Sequence, residues 1–108
     1  MIELVQYEAG TGACPFSDWF DSLDNPAASK VRTALARIET GNLGDTRSVG
    51  TGVFERRIDF GPGYRIYFGR DGAEIVILLA GGTKRRQQAD IVRAKSFWAD
   101  YKKRKKER

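Results

Sequence analysis

From Val53 to Gly69 apolar and polar residues alternate with the period of a β-strand, and the alternation breaks once, at Gly61-Pro62-Gly63. The first run, Val53–Phe60, puts Phe54, Ile58 and Phe60 on one side and Glu55, Arg57 and Asp59 on the other. The second, Tyr64–Gly69, puts Tyr64, Ile66 and Phe68 against Arg65 and Tyr67. Arg56 falls on the apolar side and is expected near a sheet edge, with its charged head in water. After a tight turn at Asp71-Gly72, Ile75–Ala80 is apolar at every position, which marks an interior strand covered on both faces. It ends at Gly81-Gly82.

Upstream the period becomes helical. Phe16, Trp19, Phe20 and Leu23 form one stripe behind Pro15, which suits a first helical turn. Asp24-Asn25-Pro26 interrupts the stripe, with Asn25 as the expected N-cap and Pro26 as the first residue of a second helix. There Ala28, Val31, Leu35 and Ile38 face the core, Lys30, Arg32 and Arg37 face water, and Gly41 supplies the left-handed cap. Ile2–Glu8 reads as an opening strand, and Ala9–Ala13 and Gly41–Gly52 as loops. A last helix runs from about Lys84 to about Lys103 on the stripe Ile91, Ala94, Trp98 and Tyr101. The alternative starts it near Gln87 and leaves residues 84–86 as a basic loop. Trp19, Phe20, Phe97 and Trp98 are expected either in the core or facing a partner. The order β-α-α-β-β-β-α predicts an α+β fold: a small antiparallel sheet with a mixed edge, packed against an N-terminal helical hairpin.

Length and composition narrow this further. The 108 residues make one domain, expected over residues 1–101, with residues 102–108 as a basic C-terminal tail. A single cysteine, Cys14, allows no intrachain disulfide. No apolar run is long enough to cross a bilayer, and MIELVQYE lacks a basic n-region, so a reduced cytoplasmic setting without membrane contact is expected. The net charge of +5 resides in the tail, where KKRKKER holds six basic and one acidic residue. The other 101 residues carry 13 of each sign, unevenly spread. Residues 1–50 hold four basic and seven acidic, whereas residues 51–101 hold nine and six, so the meander half is the positive half.

With no histidine and one cysteine, a zinc site, a Ser-His-Asp triad and a Cys-His pair are all excluded, and no metal or cofactor is expected. GGTKRR lacks the spacing of a P-loop. What remains is the polar set Glu55, Arg57, Arg65 and Tyr67 on one sheet face, where neighbouring strands bring side chains within reach of one another. Two readings stand: solvated Glu–Arg pairing, or guanidiniums held ready for a phosphate. Lys84-Arg85-Arg86, behind Thr83 as a candidate N-cap, adds cations at the end of the apolar strand. Positive charge in a first helical turn is disfavoured unless an anion docks there.

These segments resemble the phage-derived killer-protein branch of the RelE/HigB toxins, within the RelE/ParE superfamily, over roughly Val5 to Ala99. The resemblance rests on FSDWFDSLDNP, the loop GNLGD, the strand FERRIDF, GPGYRIYF, and GGTKRRQQADI. It implies the toxin of a type II toxin–antitoxin module: a metal-independent endoribonuclease (an mRNA interferase) that cuts mRNA on the ribosome. A cognate antitoxin would neutralise it, and DNA operator contact would come only through that antitoxin. The family's functional positions fall on Arg57, Arg65, Tyr67, Lys84 and Gln87, with Arg85 or Arg86 matching a further arginine. Arg65 would bind the scissile phosphate beside Arg57. Lys84 would stabilise charge or act as base, with Glu55 the other candidate base, and Tyr67 would stack a base or donate a proton. Arg85, Arg86 and Gln87 would hold RNA. The alternative is a ParE-like inhibitor of DNA gyrase with no catalytic step.

Overall fold

The computed structural model describes residues 1–107. Its elements run β1 (Glu3–Gln6), α1 (Pro15–Asp21), α2 (Asn25–Glu39), β2 (Thr46–Gly50), β3 (Val53–Ile58), β4 (Tyr64–Asp71), β5 (Ile75–Thr83), a 3₁₀ turn (Lys84–Arg86) and α3 (Gln87–Lys106). The five strands form one sheet in the order β1-β5-β4-β3-β2. β2 to β5 are an antiparallel meander, and β1 joins β5 in parallel, Glu3 opposite Ile75 and Gln6 opposite Leu78. The α+β class and the mixed edge agree with the sequence. The helical hairpin follows β1 rather than opening the chain.

Helices cover both faces, as the unbroken apolar run of β5 requires. Phe16, Val31, Ala34 and Ile38 of α1 and α2 pack on Ile58, Ile66, Phe68, Val76 and Leu78. On the opposite face Ile91, Ala94 and Trp98 of α3 pack on Tyr7, Val53, Tyr67, Ile77 and Leu79. Gly81 and Gly82 carry this sandwich at its tightest point. A Cβ on Gly81 would sit 2.0 Å from the Trp19 ring, and one on Gly82 would sit 1.9 Å from Asp90 Oδ2. The pair is needed for space: α1 and α3 press on the same stretch of strand from opposite sides.

Besides Arg56, three sequence expectations change, and one of the two starts left open for the last helix is found. Gly41–Gly52 is not all loop, because Thr46–Gly50 forms β2 against β3, closed by Gly50-Thr51-Gly52, whose φ angles are all positive (100°, 54° and 89°). The cap of α2 is Asp24, whose carboxylate accepts from Ala27 N–H at 2.9 Å, one residue before the expected Asn25. The α-helix begins at Gln87, after the 3₁₀ turn, and Thr83 makes no side-chain cap bond. The basic stretch 102–106 is helical rather than a free tail: Lys105 pairs with Asp71 at 2.5 Å, and Arg104 pairs with Asp100 at 2.7 Å and bonds the Glu8 carbonyl.

Arg56 differs most from expectation. It lies on an inner strand, not at an edge, and is 8% exposed. Its guanidinium lies against Gly44, where a Cβ would come within 2.6 Å of it.

Candidate functional site

Glu55 is the centre of the polar face, and it is wholly buried. Strand pairing sets Arg47 and Tyr67 opposite it on β2 and β4. Arg47 Nε donates to Oε1 at 3.0 Å, Arg65 Nη1 to Oε1 at 3.3 Å, and Tyr67 Oη to Oε2 at 3.0 Å. Gln87 Nε2, from the first turn of α3, donates to both oxygens, at 3.3 and 3.0 Å. A buried carboxylate is tolerated when its charge is paired and its lone pairs are filled, and both conditions hold here.

This arrangement bears on three assignments. Glu55 is not placed to act as a base, since its side chain has no exposed surface and both oxygens are occupied. Tyr67 is not placed to stack a base, because its ring lies in the core under α3 and its hydroxyl donates to Glu55. Burial, with the Glu55 charge beside it, holds the Tyr67 phenol well above its ordinary range. Gln87 likewise spends its amide on Glu55. These three residues build the site from behind, together with Arg47, which a loop over residues 41–52 leaves without a role. The signal for Arg47 is the Thr46-Arg47-Ser48-Val49 alternation before a Gly-x-Gly turn.

In front of them lies a cavity of about 220 Å³, lined by Asp45, Arg57, Ile58, Asp59, Gly63, Arg65 and Lys84. Three predicted cations from three elements therefore meet. Arg57 and Arg65 are direct cross-strand partners, and Lys84 is fixed to the β3–β4 turn by its N–H donating to Gly63 O at 2.8 Å. Arg57 is exposed and pairs with Asp45 at 3.3 Å. Arg65 is 6% exposed, and its Nε has no hydrogen-bond partner among the described residues. Arg85 and Arg86 are exposed on the 3₁₀ turn. Arg86 lines a different, larger cavity of about 580 Å³ between α1 and α3, with Trp19, Asp90 and Arg93. No group of histidine, cysteine, aspartate and glutamate side chains able to hold a metal occurs among the described residues. None of the helices among them is long and apolar enough to cross a membrane.

Asp90 in the larger cavity carries a pH signature. Burial raises its carboxyl above the ordinary 3.8, against the opposing pull of Arg93 and Arg86. An acid whose folded pKa exceeds its unfolded one favours folding most below the unfolded value, and loses that contribution as pH rises through the folded value. Asp90→Asn should therefore gain stability relative to the parent as pH goes from about 4 to about 7, as measured by urea unfolding at both. A variant that instead loses ground over that interval contradicts the burial account.

Two comparisons with known proteins bear on the chain. Residues 18–96 match the family described as phage derived protein Gp49-like (DUF891). An uncharacterized protein of Haemophilus influenzae (strain Rd) is 44% identical over 81 residues, which cover 74% of this chain and 82% of that protein.

Proposed function

The chain belongs to the phage-derived Gp49-like protein family, and from that premise and the Arg57–Arg65–Lys84 cavity we propose that it is the toxin of a type II toxin–antitoxin module. On this reading it is a RelE/HigB-like, metal-independent endoribonuclease that stops translation by cutting mRNA on the ribosome. The observation that carries it is the convergence of three cations on one cavity, with Arg65 held in place by a buried carboxylate.

The chemistry is transesterification. The 2′-oxygen of the RNA attacks the adjacent phosphorus, the bond to the 5′-oxygen breaks, and the products are a 2′,3′-cyclic phosphate and a 5′-hydroxyl. Negative charge grows on the phosphoryl oxygens, and Arg65, backed by Arg57, is set to stabilise it. Lys84, exposed at the cavity rim, is the side chain free to meet the leaving 5′-oxygen with a proton. With Glu55 and Tyr67 committed behind the site, the 2′-hydroxyl proton passes to solvent water rather than to a strong base of the protein, and solvent returns a proton to Lys84 after the cut. Alignment of the message by the ribosome supplies much of the remaining rate. The isolated protein is therefore a poor ribonuclease. It acts in the cytoplasm, and its partners are translated mRNA and a cognate antitoxin, with operator DNA reached only through the latter.

Expression from an inducible promoter, followed by primer extension on translated messages, tests the reading. New 5′ ends inside open reading frames and rapid loss of protein synthesis are expected. Intact messages with DNA breaks and an SOS response would point instead to a ParE-like gyrase inhibitor.

A further inference from the structure

A second group of cations sits on the other face of the sheet. Arg56 and Arg57 are neighbours on β3 and so point to opposite sides. Arg57 enters the cavity described above, whereas Arg56 enters one of about 260 Å³ lined by Lys30, Thr33, Ala34, Arg37, Arg56, Ile58 and Asp59. Arg56 is more than nine-tenths buried, yet no carboxylate among the described residues forms an ion pair with it. Nη1 donates to the Arg57 carbonyl, and the buried Nε has no partner among the described residues. Burial and the nearby Arg37 both disfavour the charge on Arg56, and Asp45 offsets them only in part. Guanidinium stays protonated regardless. Lys30 is held at the rim with its ammonium 5.3 Å from the Phe60 ring centre. Three cations thus face Asp59 on the cavity wall, with Asp45 nearby, around a buried guanidinium whose charge is only partly compensated. Such an arrangement is relieved by an anion.

We propose that Lys30, Arg37 and Arg56 form a second phosphate-binding site, occupied by the backbone of the same RNA strand that enters the Arg65 cavity. The two cavities share Ile58 and Asp59, the end of β3 and the start of the turn, so a strand crossing that end reaches both. The RNA assignment rests on the function proposed above, whereas the anion site itself does not. These residues touch no reacting atom. Their role is to position the message.

Lys30 and Arg37 are exposed, so Lys30→Gln/Arg37→Gln should leave folding intact. Thermal unfolding in sulfate against chloride at equal ionic strength reads the site alone. In an Arg57→Gln/Lys84→Gln background, which removes two cations of the first cavity, a sulfate-dependent rise in Tm should persist and should shrink when Lys30→Gln/Arg37→Gln is added, and a rise unchanged by that addition overturns the site. Binding of a 2′-O-methyl RNA, which cannot be cleaved, reads the ligand. The slope of log K against log salt should fall by about 0.7 for one phosphate that the variant no longer neutralises. A lost sulfate response with an unchanged RNA slope overturns the RNA assignment and leaves a site for a free oxyanion.

Discussion

Arg65→Ala should give a folded protein that no longer arrests growth or cuts message. Arg65 is the cation that joins the buried hub to the open cavity, through Nη1 on Glu55 and a guanidinium at the cavity wall. Removing a donor aimed at developing negative charge typically lowers a rate by about 10²–10³. The missing charge also weakens binding of the phosphate itself, so on the proposed reading messages should remain intact. The fold should survive because Glu55 keeps Arg47 as its counter-ion and Tyr67 and Gln87 as donors. Primer extension and growth curves read the first effect, and circular dichroism with urea unfolding reads the second. Arg65→Lys, which keeps the charge but not the fork, should recover only part of the activity. A folded Arg65→Ala protein with undiminished toxicity would remove Arg65, and with it this site, from the mechanism.

The second large effect is on stability. Glu55→Ala leaves the Arg65 guanidinium buried without its carboxylate, and the Tyr67 hydroxyl and Gln87 amide without their acceptor. Stranding one member of a buried charged pair costs about 3–5 kcal/mol, against a total stability of about 5–15 kcal/mol for a domain. Urea unfolding should show a much lower midpoint with little change in slope. Glu55→Gln keeps the volume and one acceptor but turns an amide N–H toward other donors, so it should lose less. A cost below about 1 kcal/mol for the alanine variant would mean the hub is not a structural keystone. The two variants separate roles: Arg65→Ala removes function from a standing scaffold, whereas Glu55→Ala removes the scaffold.

Much of this is legible in the chain. Alternation in Val53–Phe60 and Tyr64–Gly69 assigns Phe54, Ile58, Ile66 and Phe68 to one face and Glu55, Arg57, Arg65 and Tyr67 to the other, as found. The unbroken run of β5 requires cover on both faces, as found. What alternation does not encode is depth. It puts Tyr67 and Arg57 on one face, but α3 closes over Tyr67 and stops short of Arg57, and that boundary is tertiary. β2 escapes notice for a related reason. Its residues are exposed or half-buried, and it is held by pairing with β3 and by Arg47 on Glu55, with Val49 its only apolar contact to the core among the described residues. Arg56 breaks the pattern visibly, but its room comes from Gly44, which is distant in sequence.

The parallel seam between β1 and β5 bears on how the protein is made. Glu3–Gln6 are synthesised first, yet their partners are Ile75–Leu78, so β1 has no seat until most of the chain has emerged. Closing so long a loop carries an entropic cost that local pairings avoid, which places β1 docking late in folding. Lys84 and Gln87 come later still, and without them neither the cavity nor the hub is complete. The cavity and the hub are therefore completed only once nearly the whole chain has been synthesised.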